Sequence, residues 1–165
     1  MDDDTEPLEP QSEAPGEELE RLARETLEAQ AGTADPVGAR RRCQRVIDIY
    51  TTGSVEDARD NFHAAWVMIC GESQAHYSLA RMFARRATDL GEVRGWTLRA
   101  MAWDRWLVAG SKPQRFGTQI IKQNGHWSLG PVDPDVSDLE RAFFAVPPLH
   151  VQRQRAEQLQ RQEDN

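Results

Sequence analysis

The chain is poor in the residues that most often announce a chemistry. It has only two cysteines, Cys43 and Cys70, in 165 residues. That number excludes a disulfide framework and any Cys-x-x-Cys zinc pattern. No stretch approaches the 18 consecutive apolar residues of a membrane-crossing helix. The opening MDDDTEPLEP has no hydrophobic core of a secretion signal, so a cytoplasmic protein with reduced thiols is expected. There is no glycine-rich phosphate loop, no G-x-S-x-G, no H-E-x-x-H and no paired-carboxylate signature. No cofactor and no metal site are expected from these absences. Lysine is nearly missing too: of 20 basic residues, only Lys112 and Lys122 are not arginine.

Acidic residues are abundant but unevenly placed. Residues 1–20 hold nine carboxylates and no base, so the net charge of −7 divides into a segment of −9 and a remainder of +2. Pro7, Pro10, Pro15 and Gly16 interrupt this segment, and it has little to bury. A disordered acidic tail over residues 1–16 is the expectation. It could act as a solubilising tail or lie on a basic surface. The acidity says nothing about the ligand of the body.

The remainder reads as helices. Leu19, Leu22, Ala23, Leu27 and Ala31 recur at helical spacing from about 17 to 31. Asp35-Pro36 is an N-cap with proline at the first helical position. It opens a helix with Cys43, Val46, Ile47 and Tyr50 on one stripe and Arg40, Arg41, Arg42 and Arg45 on a solvated face. This arginine run lacks interleaved aromatics, so no nucleic-acid partner is inferred. Ser54 can cap a third helix with Val55, Ala58, Phe62, Ala65, Trp66 and Ile69 inward. A fourth, from about 73 to 90, turns Ala75, Leu79, Met82, Phe83, Ala87 and Leu90 inward. A fifth, from about 92 to 109, is apolar almost throughout its second half and is expected to be the buried helix of the set.

After a loop, Asn124-Gly125 marks a β-hairpin at about 118–130. Its register sets Lys122 opposite Trp127 and Ile120 opposite Leu129. Ser137 and Glu140 form a capping box for a short helix ending before Pro147-Pro148. A polar C-terminal helix covers about 150–165. The expected fold is mainly α, an antiparallel helical-hairpin array over 17–149 with one small C-terminal β-hairpin. Small residues at Ala80, Ala84, Ala87, Ala100 and Ala102 resemble tetratricopeptide or Sel1-type packing, without a repeat of fixed period.

One polar cluster stands out. Asp104 and Arg105 interrupt the apolar run AMAWDRWLVA, and the loop Gln114-Arg115-Phe116-Gly117-Thr118-Gln119 follows ten residues later. A buried charge must be paired or hydrogen-bonded. Asp104 therefore either accepts bonds from the loop's N–H groups and Thr118, or serves as a base or acceptor in a site. In that site Arg105 would be the anion clamp, with Gln114, Arg115, Thr118 and Gln119 beside it. His63 is a further candidate, near Cys70, Glu72 and His76. Cys70 at a helix C-terminus gains no thiolate stabilisation, so it is not read as a nucleophile.

The stretch from about Asn61 to Ala156 resembles an uncharacterised bacterial family of helical proteins. The residues that carry the likeness are Asp104-Arg105, then Gly110 through Pro113-Gln114-Arg115-Phe116-Gly117-Thr118-Gln119, then Pro131–Pro134, Glu140-Arg141 and Val146–Leu149. The loop has one residue inserted relative to the family's tightest form, and the family's Gln-His is replaced by Ile69-Cys70. The resemblance implies a helical fold and the location of a site, not a substrate. The sequence is thus read as a protein- or peptide-interaction module with a polar site at Asp104-Arg105 and the 114–119 loop. A small-molecule-binding protein or enzyme using the same site is the alternative. No membrane partner is expected.

Overall fold

The computed structural model describes residues 13–165. Among them are seven helices: α1 (Pro15–Ala31), α2 (Pro36–Thr51), α3 (Ala58–Ile69), α4 (Gln74–Asp89), α5 (Gly95–Ala109), α6 (Asp138–Phe143) and α7 (Leu149–Glu163). A two-stranded antiparallel sheet, β1 (Ile121–Gln123) and β2 (His126–Ser128), lies between α5 and α6. The protein is mainly helical, its helices packed on one another, with one small hairpin.

Local chemistry sets most element boundaries. Asp35 caps α2 by accepting from the Gly38 N–H, with Pro36 next, where its missing N–H costs nothing. Ser73 caps α4 through the His76 N–H. Ser137 caps α6 through the Glu140 N–H. The third cap differs from expectation. Asp57, not Ser54, accepts from the Asp60 N–H, so α3 starts four residues after Ser54. Within the expected tail, Pro15 and Gly16 instead belong to α1 and Glu13 bonds Arg21. The tail's first twelve residues lie outside the described residues.

The main core lies among α1–α5. α3 is the buried helix, with Ala64, Ala65, Val67, Met68 and Ile69 all at most 2% exposed, and it packs on α1, α2, α4 and α5. This corrects the expectation for α5, whose second half lies near the surface. Val108 there is 38% exposed, and Trp103, Trp106 and Leu107 are half-buried. The stripe of α4 is narrower than expected. Phe83 and Ala87 are buried, whereas Ala75 and Leu90 face solvent beyond the ends of the contact. Ala80, Ala84, Ala87, Ala100 and Ala102 are all fully buried, which lets neighbouring backbones approach closely. Arg42 of α2 is not on a solvated face either: it is 6% exposed, with its Nη1 at 3.5 Å from Asp35.

A second, smaller core gathers Ala100, Phe116, Val136 and Val146, with Trp103 and Phe144 against it. It fastens the C-terminal segment to the outer side of α5. The hairpin pairs Ile121 with Ser128, Lys122 with Trp127 and Gln123 with His126, the register expected from its turn. Asn124 (φ 52°) and Gly125 (φ 79°) take the two left-handed positions that such a turn demands. α7 docks on β2: the Trp127 N–H donates to Gln160 at 2.9 Å and its indole to Glu163 at 2.6 Å, while Lys122 also bonds Glu163. No helix among the described residues is long and apolar enough to cross a membrane.

Candidate functional site

Asp104 lies on α5, on the side that meets the 114–119 loop, and is fully buried. Its two carboxylate oxygens accept four hydrogen bonds. Oδ1 takes the N–H groups of Arg115 (2.7 Å) and Phe116 (3.0 Å). Oδ2 takes the N–H (2.9 Å) and hydroxyl (2.8 Å) of Thr118. A carboxylate offers about four acceptor positions, so this one is fully used. Charge-assisted bonds of this kind are about twice as strong as neutral ones. The loop curls around the carboxylate because Gly117 sits at φ 76°, a conformation that a side chain would strain.

The neighbouring residues close the knot. Gln114 is 1% exposed. Its Nε2 donates to the carbonyls of Gln119 (2.9 Å) and Leu129, and its Oε1 accepts from the Gln119 N–H at 2.7 Å. Its backbone bonds Pro131 and Asp133, tying the loop to the segment beyond the hairpin. Arg105 donates through Nε to Gln119 Oε1 (3.0 Å) and through Nη1 to the Ile69 carbonyl (2.6 Å) at the end of α3. Arg115 bonds Glu140 and lies over the Trp103 ring, 5.2 Å from its centroid.

Arg141, named in the sequence only as part of the family motif and not as a site residue, completes the structure from the other side. It is 2% exposed and donates to the carbonyls of Phe116 (3.0 Å) and Val136 (2.8 Å) and to Asp138. Asp104 thus satisfies the loop's N–H groups while Arg141 satisfies a carbonyl of the same loop. The available signal was Arg141's place next to Glu140 and four residues after the capping Ser137.

The structure therefore brings Asp104, Arg105, Gln114, Arg115, Thr118 and Gln119 together, and leaves His63 out. His63 lies on α3 beside Asp60 and near Glu20, Arg59 and Arg94. Burial holds its imidazole below the usual histidine range. It is seven residues, about 10 Å along the helix, from Cys70. His76 instead accepts from the Glu72 N–H through Nδ1. Among the described residues no three His, Cys, Asp or Glu side chains are placed to share a metal ion. Burial pushes the Cys43 thiol up to about 11 and raises that of Cys70, so neither is an activated nucleophile.

Several open concavities border this knot, one of about 220 Å³ lined by Arg105 and Gln119 themselves. A larger one, of about 680 Å³, runs between α4 and α5 and is lined by Arg81, Arg85, Arg86, Arg99, Trp103 and Trp106, among others. The Arg81 guanidinium lies over two indoles, 4.9 Å from the Trp103 centroid and 4.7 Å from that of Trp106. Burial and the charge of Arg99 push Arg81 below the usual arginine range. Arg99 covers Trp96, and Lys112 lies over Trp106. The sequence signal was the spacing of Trp96, Trp103 and Trp106, which sets three indoles on one helix face. A second cavity, of about 410 Å³, is bordered by Gln30, Arg42, Cys70, Glu72 and Arg105.

Comparison of the chain with family models, curated proteins and solved structures finds no match.

Proposed function

We propose that the chain is a helical protein- or peptide-interaction module whose contact face is the outer surface of α4 and α5. Its frame is the polar knot of Asp104, Arg105 and the 114–119 loop. One observation carries this reading. Asp104 and Gln114 are buried and spent on hydrogen bonds within the knot, whereas the groove next to it is open and lined by arginines and half-exposed indoles. Arginine and tryptophan dominate the energetics of protein interfaces because they combine large contact area with directional polar groups. All four acceptor positions of Asp104 are engaged by the loop, which leaves none free to act as a base.

The test is site-specific photo-crosslinking in the native cell. A photoreactive residue at Ser78, in the groove, is expected to give a protein adduct of defined mass. The same residue at Arg41, on the exposed face of α2, is expected to give none. Absence of any adduct from Ser78, or equal adducts from both positions, contradicts the proposal.

The small-molecule reading draws on a different observation. The Arg42 Nε is buried without a hydrogen-bond partner, and Arg42 borders the second cavity together with Arg105. Native mass spectrometry of the purified protein checks it: a retained small molecule lost in Arg42→Ala supports the reading, and an unladen protein speaks against it.

A further inference from the structure

Four arginines converge on the α4/α5 groove, and among the described residues only Asp89 is there to oppose them. Asp89 lies 3.6 Å from Arg85, an exposed pair of small energetic worth. Arg81 makes no side-chain hydrogen bond among the described residues, while its guanidinium lies over the rings of Trp103 and Trp106. Gathering like charges in a partly desolvated place is unfavourable unless an anion completes them. Several other arginines behave differently. Arg40, Arg45, Arg59 and Arg94 are neutralised by Glu72, Glu18, Glu20 and Glu92.

We propose that this groove binds an acidic peptide segment, with carboxylates on Arg81, Arg85 and Arg99 and an apolar side chain against Trp103 and Trp106. The proposal rests on the interaction-module reading and names the chemistry of its partner. A guanidinium offers a fork of donors matched to a carboxylate, and stacking on an indole holds that fork in place. The groove follows two helices of 16 and 15 residues, long enough for a peptide of about seven extended residues. A duplex nucleic acid presents a phosphate charge every 1.7 Å or so along its axis and calls for an extended cationic surface. Here four arginines are gathered along one groove beside two indoles, which favours a short acidic segment with an apolar side chain.

The test is fluorescence anisotropy with the full chain and a fluorescein-labelled peptide, DELDELDE, against its uncharged counterpart NQLNQLNQ. A DNA duplex of about 20 base pairs is a further arm. The acidic peptide is expected to bind and to quench or shift indole emission. Its affinity should fall roughly tenfold between about 50 and 300 mM NaCl, as screening shortens the reach of the charges. Arg85→Glu with Arg86→Glu should weaken it at least about tenfold, equivalent to ~1.4 kcal/mol. Both side chains are exposed, so circular dichroism and melting should be unchanged. Arg99→Gln should give a smaller loss without charge reversal. No binding at about 1 mM peptide, equal binding of NQLNQLNQ, tighter binding of the duplex, or indifference to the arginine variants would each overturn the proposal. If Ser78 crosslinks to a protein while DELDELDE fails to bind, the partner chemistry is wrong and the module reading survives. If neither occurs, both fall.

Discussion

The α1–α5 body and the C-terminal segment from Gly110 onward are held together by different physics. The body buries a continuous apolar core in which Leu19, Val46, Met68, Phe83 and Leu98 are at most 2% exposed. Its cohesion is spread over many nondirectional contacts. The C-terminal segment packs on Ala100 of α5 through Phe116, Val136 and Val146, and this small core is supplemented by the buried Asp104 of α5 and by Gln114 and Arg141, each with specific partners. Its cohesion is concentrated in a few directional bonds. A polar network of this kind specifies one arrangement more sharply than apolar contact does, and it is costly to half-satisfy.

Substitutions can break or sharpen that contrast. The largest loss is expected from Phe83→Ala. Removing a fully buried ring that meets Tyr50 edge-on at 5.3 Å should cost about 3–5 kcal/mol and lower the melting of the entire chain. Asp104→Asn should cost about 3 kcal/mol, because an amide turns N–H groups toward loop donors that need an acceptor. The loss should fall on the C-terminal segment, seen as protease cleavage near 114–119 before the helices melt. If Asp104→Asn instead unfolds everything in one step, the two regions are one cooperative unit. Arg141→Met, with similar length and no donors, should cost about 2 kcal/mol and loosen the same segment.

The smallest effect concerns pH. His63 has a depressed pKa in the folded state, so the unfolded chain binds the proton more readily there. Stability then rises with pH, and the His63 contribution is lost as pH falls below the ordinary histidine value of about 6.5. Melting curves from pH 7.5 to 5.5 should show this slope in the body, and His63→Gln should flatten it.

The same contrast explains what could be read from the sequence. Helical stripes reveal the body because burial follows periodicity: Cys43, Val46 and Phe83 lie where a 3.6-residue repeat places them. The hairpin was legible from Asn124-Gly125, and α6 from Ser137, because each signal is local. Asp104 was legible as a charge needing partners, and the proximity of the 114–119 loop followed from chain continuity. Arg42 and Arg141 were not legible as buried residues. Whether an arginine is buried depends on carbonyls and carboxylates from other segments, such as those of Phe116 and Val136, and no periodicity reports them. The ends of stripes misled for a related reason. Ala75 and Leu90 keep the period of α4 but extend past its neighbours. The groove was missed because Arg81 and Trp106 belong to different helices, and their stacking is a tertiary contact.

The central claim is that Asp104 clamps the loop and is not a reactive group. Amide hydrogen exchange tests it most directly. In the native chain the N–H groups of Arg115, Phe116 and Thr118 should exchange as slowly as core amides, although they lie outside helix and strand. In Asp104→Asn those three should lose their protection while α3 and α4 keep theirs. Fast exchange at these amides in the native chain, or unchanged protection in the variant, would contradict the account.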